Sequence, residues 1–245
     1  MQTLVIFGDS WGCGEWSYQE HTPPFVSHPG LTEYLGDAFV VKNFSREGVS
    51  LWQTAFAIRN YLDNLRSLDL PTPVILVIQT DAARTQLAET FQVNYDDVYR
   101  SGLDLVEIYQ TLLEQWYNKL QYMAEQFNTE IYLCGGLTDL DTTTLGLYPR
   151  LHAVCESWLR LCDPDTKSSI MPLIMSPHVL QYLHDNHDPK LTQQMMDWLD
   201  HAFLSAQILL ESPWMGPSHG DYHPSRLAHK RLSDHIKQFF REELQ

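Results

Sequence analysis

Val74-Ile75-Leu76-Val77-Ile78 is an uninterrupted apolar run, rich in β-branched side chains and bounded by Pro73 and Gln79. A strand that is apolar at every position is buried on both faces, so its sheet must carry helices on either side. Thr3 to Phe7 has the same length and character and is closed by Gly8-Asp9. Ala38 to Phe44 and Ile131 to Cys134 read as two more strands, the latter stopped by Gly135-Gly136. Ser169 to Ile174 is expected to hold a fifth, which Pro172 confines to a sheet edge or a bulge.

Helical periodicity fills the gaps between these strands. Gly48-Val49-Ser50 opens a helix with Leu51, Ala55, Ile58, Leu62 and Leu65 on one face, and Ser50 is placed to cap it. A longer helix is predicted over 103–127 from the stripe Leu105, Tyr109, Leu112, Trp116, Leu120, Met123 and Phe127. Further helical patterning covers 148–161, 191–210 and 225–241. The stretch 11–30 is punctuated by Gly12, Gly14, Pro23, Pro24, Pro29 and Gly30 and reads as a long irregular loop. Strands alternating with helices predict a single domain over 1–245, a three-layer α/β/α sandwich with a parallel, flavodoxin-like central sheet.

Composition removes several classes of function. Hydrophobic residues at 44% and charged residues at 19% are ordinary for a globular chain and exclude a disordered or fibrous one. The formal charge of -15, from 31 acidic against 16 basic residues, repels phosphate backbones and anionic lipid, so no nucleic-acid partner is expected. No apolar run approaches the roughly 20 residues of a membrane span. Met1-Gln2-Thr3 leads straight into strand one without a basic leader, and Cys13, Cys134, Cys155 and Cys162 show no CxxC spacing. The expectation is a soluble, cytoplasmic protein with reduced thiols.

Two short motifs carry the candidate chemistry. Gly8-Asp9-Ser10 places a serine at the end of the first strand, where its hydroxyl and backbone N–H can face one carbonyl. Asp221-Tyr222-His223-Pro224 stands before the last helix, with Pro224 suited to a helix entrance and His223 fixed beside it. Taken singly, Asp9 or Ser10 is a turn cap and His223 a packed histidine. Together they supply a nucleophile, a general base and an orienting acid.

With these motifs at opposite ends of an α/β chain, the sequence resembles the SGNH (GDSL-like) hydrolase family over nearly its whole length. The resemblance implies that Ser10 is the nucleophile and His223 the base, that Asp221 orients the base, and that the reaction passes through an acyl-enzyme. It implies oxyanion donors from the N–H groups of Ser10 and of Gly48, the latter in Asn43-Phe44-Ser45-Arg46-Glu47-Gly48-Val49-Ser50. Two blocks depart from the family pattern. Asp221 precedes His223 by two residues rather than three, with Gly220 at position minus three, and Ile78-Gln79-Thr80-Asp81 has Thr80 where the family places an asparagine donor. The missing donor is replaced either by the Thr80 hydroxyl or by the Gln79 amide. Asp9, Gln79, Asp81, Trp11 and Tyr222 stand as candidate substrate-binding residues. The resemblance requires neither a metal nor an organic cofactor.

Other features weigh less. His184-Asp185-Asn186-His187-Asp188 is rich in metal-ligating types, but adjacent positions on one loop rarely wrap an ion. Cys155 and Cys162 are expected near one face of the 148–161 helix, as core. Arg84 either binds a substrate carboxylate or pairs with a surface acid. Trp11, Trp16, Trp214 and Tyr222 lie around the two motifs and suggest a platform for sugar rings. The expected substrate is therefore a small-molecule or glycan ester, such as an O-acylated carbohydrate. A lipid esterase or acyl-thioesterase requires an apolar acyl groove, and a binding module that kept the fold without turnover is the competing class.

Overall fold

The computed structural model describes residues 1–17, 25–79, 105–136, 138–164, 213–214 and 223–243. Within them, five strands form one parallel sheet: β1 (Gln2–Phe7), β4 (Phe39–Asn43), β5 (Val74–Gln79), β6 (Ile131–Gly135) and β7 (Leu151–Cys155). Their spatial order is β4-β1-β5-β6-β7, the doubly wound flavodoxin-like arrangement. Register is set by pairs such as Val5 with Ile75 and Ile75 with Ile131. A separate antiparallel pair, β2 (Glu15–Ser17) and β3 (Phe25–His28), stands beside this sheet.

Each strand divides its side chains between two cores, because successive residues point to opposite faces. Val5, Phe7, Ile75, Val77, Ile131 and Leu133 pack on one side against α3 (Leu51–Ser67) and α4 (Leu105–Phe127). Leu4, Ile6, Leu76 and Ile78 pack on the other, against α2 (Leu31–Leu35), α6 (Trp158–Cys162) and α7 (Arg226–Glu243). Two short helices, α1 (Ser10–Cys13) and α5 (Thr142–Leu145), complete the described elements. Helices on both faces of a parallel sheet make the three-layer sandwich. No helix among the described residues is long and apolar enough to cross a membrane.

Local signals account for most of the boundaries. Ser50 caps α3 through a full capping box: its hydroxyl accepts from Gln53 N at 3.2 Å, and the Gln53 side chain accepts from Ser50 N at 2.8 Å. On α4, Leu112, Leu113, Trp116, Tyr117, Leu120, Met123 and Ala124 form one buried stripe.

Three expectations are corrected. The 148–161 segment is not one helix but a strand, β7, followed by the short helix α6. Leu151, Val154, Cys155 and Trp158 fall at i, i+3, i+4 and i+7, a helical spacing, yet the open edge of β6 captures the segment as a fifth strand. Cys155 therefore ends a strand and Cys162 a helix, and both lie in the same core with free thiols. The stretch 11–30 is not wholly irregular, since it contains most of α1 and the β2/β3 pair. The expected strand at 169–174 and the helix over 191–210 lie outside the described residues.

Candidate active site

The crossover from β1 to its two neighbours puts the carboxyl ends of β1 and β5 at the switch point of the sheet, where doubly wound folds form a crevice. β1 ends there in Gly8-Asp9-Ser10. The Asp9 carboxylate accepts from Trp11 N at 3.0 Å and caps α1, so Ser10 is the first residue of a helical turn rather than the tip of an extended strand. Ser10 is fully buried.

The segment after β4 is stitched to this turn by backbone and side-chain bonds. Phe44 N donates to Ile6 O at 2.8 Å, Arg46 N to Gly8 O at 3.0 Å, and Asn43 Nδ2 to Gly12 O at 2.8 Å. These bonds carry Gly48 toward the same end of the sheet. Its φ of 71° lies in the left-handed region, and a Cβ there would meet nothing within 4 Å, so the requirement for glycine is conformational rather than steric.

His223 arrives from the other end of the chain and meets the Ser10 turn through Trp16 of β2. The Trp16 indole N–H donates to the Ser10 carbonyl at 3.0 Å. The same indole ring lies with its centroid 5.4 Å from that of His223, tilted by 37°. His223 is 8% exposed and Trp16 6%, so one buried ring joins the two motifs. The helix that follows His223 is tied down as well: Ser225 Oγ accepts from Ala228 N at 3.3 Å and donates to Pro213 O at 2.8 Å.

Glu15, beside Trp16, binds the start of α7. One carboxylate oxygen accepts from Arg226 N at 2.9 Å, and the other accepts from the guanidinium Nη2 at 2.9 Å and Nε at 3.2 Å. Burial raises the Glu15 pKa, but the Arg226 backbone and side-chain hydrogen bonds and positive charge outweigh it, leaving the carboxyl below its ordinary range. Sequence reading missed Glu15 entirely. Its only local signal is an acid in a short strand, and its partner is 211 positions away.

Cys13 is the one other nucleophile type in this turn. Burial, reinforced by the Asp9 and Glu47 charges, pushes its thiol up to about 12, so it stays protonated near neutral pH and does not compete with a serine hydroxyl.

Two candidate binding residues are reassigned. Gln79 is fully buried, and its amide NH2 donates to Thr138 Oγ1 at 3.0 Å and to Asp139 O at 2.9 Å while its carbonyl accepts from Tyr117 OH at 2.9 Å. Both donors are committed inside the protein, which removes Gln79 as an oxyanion donor. Trp11 is 3% exposed and sits edge-on to Trp158 at 5.5 Å, so it is core rather than a cleft wall. Asp9 has its capping role. Thr80, Asp81, Arg84, Asp221, Tyr222 and the His184 to Asp188 cluster lie outside the described residues.

A cavity of about 920 Å³ opens next to Gly8, lined by Phe7, Phe44, Trp52 and Tyr61 among others. Phe7, Phe44 and Tyr61 contact one another, with Phe7 and Phe44 stacked at 5.6 Å. Arg46, Arg59 and Lys119 also line the cavity in this acidic chain.

No family model matches the chain, and no curated protein does. Solved structures similar to it include a Bacteroides fragilis protein assigned by name to the acylhydrolases, at 10% identity and TM-score 0.41, covering 100% of this chain and 88% of its own. YxiM of Bacillus subtilis has 12% identity and TM-score 0.46 over 99% of this chain and 56% of its own. TesA has 13% identity and TM-score 0.37 over 98% and 99%. None is close enough to transfer a role to any residue here.

Proposed function

We propose that this chain is a serine esterase of the SGNH type. The single observation that supports the reading is Trp16, whose indole N–H is bonded to the Ser10 backbone carbonyl and whose ring packs against His223, so that the two motifs from opposite ends of the chain share one side chain. In the proposed reaction the Ser10 hydroxyl attacks the ester carbonyl carbon and its proton passes to the His223 imidazole. The tetrahedral oxyanion is held by the Ser10 and Gly48 N–H groups, with the Thr80 hydroxyl as the third donor now that the Gln79 amide is occupied. Collapse expels the alcohol with the proton from His223, and water then releases the acid from the acyl-enzyme by the same route. Asp221 is assigned the orienting role. No step calls for a cofactor or metal.

The acyl side of the substrate is proposed to be apolar. The cavity beside Gly8 offers a hydrocarbon portion the Phe7, Phe44 and Tyr61 rings, with Arg46, Arg59 and Lys119 on the same lining, while the burial of Trp11 and Trp16 withdraws two of the four rings that suggested a sugar platform. This moves the reading from carbohydrate O-acyl esters toward lipid esters and acyl-thioesters.

The test is hydrolysis of p-nitrophenyl esters of increasing acyl length, with labelling by a fluorophosphonate probe, for wild type, Ser10→Ala and His223→Ala. The expected result is turnover that improves beyond acetate and labelling that requires Ser10, with both variants slower by at least about a thousandfold. Preference for acetylated glycans over longer acyl esters would restore the carbohydrate reading. A wild-type protein that neither labels nor turns over any ester would be a binding module.

A further inference from the structure

We infer that Glu15 and Trp16 form a positioning strap that sets where the His223 imidazole sits relative to Ser10. The inference deepens the esterase reading and rests on it for its catalytic consequence.

β2 begins two residues after α1, separated from it only by Gly14. Gly14 has φ 140°, and a Cβ there would lie 2.2 Å from His28 O, so only glycine lets the chain turn directly from the nucleophile helix into the β2/β3 pair. The pairing of β2 with β3 shifts register between Glu15 and Trp16, an irregularity of the kind that re-aims side chains, and the two residues engage different partners. Glu15 takes the first residue of α7 by both its backbone N–H and its guanidinium. A carboxylate at that position satisfies one of the orphan N–H groups of the helix start, complements the positive end of the helix dipole and chelates the side chain in one geometry. Because Arg226 follows His223 by three residues, fixing it limits where His223 can go. Trp16 meets His223 itself, and its N–H bond to Ser10 O ties that ring to the nucleophile's own backbone. The imidazole is thus located from two sides by adjacent residues of a strand that begins five positions after Ser10. Nothing in the shared blocks of the resembled family assigns a role to either.

The test compares Glu15→Ala, Glu15→Gln and Trp16→Phe with a control, Lys230→Ala, which breaks only an exposed pair with Asp234 on α7. Steady-state ester hydrolysis is measured together with NMR of the His223 ring protons, assigned by their loss in His223→Ala. In Glu15→Ala, kcat is expected to fall about 10- to 100-fold with KM nearly unchanged, as for a displaced catalytic group, and the His223 ring signals shift. Glu15→Gln keeps an acceptor for Arg226 N and recovers part of the rate. Trp16→Phe keeps a ring against His223 but loses the bond to Ser10 O, and falls between Glu15→Ala and wild type. Lys230→Ala behaves as wild type in both measurements. His223 signals and kcat unchanged in Glu15→Ala and Trp16→Phe would overturn the strap. Ring signals that move in a protein without wild-type turnover would uphold the strap as a structural device and overturn only the esterase reading.

Discussion

The rings of Trp16 and His223 lie 5.4 Å apart between centroids, tilted by 37°, although more than 200 residues of chain separate them. An indole is a large, rigid surface with a single N–H, and here that N–H is committed to Ser10 O. The ring therefore has little freedom to follow His223 if the histidine moves, which makes it a reference surface for the site.

The Glu15 carboxyl titrates below its ordinary value of 4.5 because its bonds to Arg226 outweigh the cost of burial. A depressed carboxylate contributes stability that is present above the unfolded pKa and lost as pH falls through the folded one. Glu15→Gln is expected to be less stable than wild type near neutral pH, with the gap closing below about pH 4.5. Urea denaturation of both proteins across pH 3 to 7 measures it. A gap that is constant with pH would mean that the charge on Glu15 contributes nothing.

His229, in the first turn of α7, is fully buried, with neither ring nitrogen in good hydrogen-bonding geometry, in the space that a side chain at Gly30 would need. Burial holds its pKa at about 4 instead of 6.5, the Gly14 backbone and Glu15 charge offset this in part, and His28 and His223 add to the depression. The unfolded chain takes up this proton below pH 6.5 and the folded one only near 4, so stability is lost progressively over that window, roughly 3 kcal/mol in all. His229→Leu removes two poorly satisfied polar atoms and the linkage together. We expect it to be at least as stable as wild type at pH 5 and flatter in its stability between pH 4 and 6.5, as followed by thermal or urea melts.

The buried bond from Tyr117 OH to the Gln79 carbonyl has no solvent to replace it. Tyr117→Phe leaves that acceptor short of its donor and is expected to cost about 1–3 kcal/mol in urea denaturation. Ester hydrolysis should be unchanged, since the network lies inside the protein and reaches Thr138 and Asp139 rather than substrate. A matching loss of rate would return Gln79 to the site.

With the Gln79 amide occupied, the proposed reaction takes its third oxyanion donor from residue 80. Thr80→Asn places the family's donor there and is expected to keep or raise kcat. A fall of 10-fold or more would show that the donor lies elsewhere. The comparison is of kcat on one p-nitrophenyl ester.

Much of this molecule was legible before any coordinates. The continuous apolar runs at Thr3 to Phe7 and Val74 to Ile78 determined that a parallel sheet lay between two helical layers, because no other arrangement buries both faces of such strands. The period of the Trp116 stripe and the Ser50 cap placed the helices in the same way. These are local properties: a side chain's own polarity and its spacing from neighbours decide whether it is buried. Tertiary structure decided the rest. Leu151 to Trp158 carries a helical spacing, and only the exposed edge of β6 made its first half a strand. Trp11 and Trp16 look alike in sequence, yet one faces Trp158 in the core and the other His223 at the site. The Gln79 amide and the Glu15 carboxylate were assigned by partners 60 and 211 positions distant. A polar group's role is set by which partner the packed chain brings within about 3 Å of it, and that distance is a property of the whole fold.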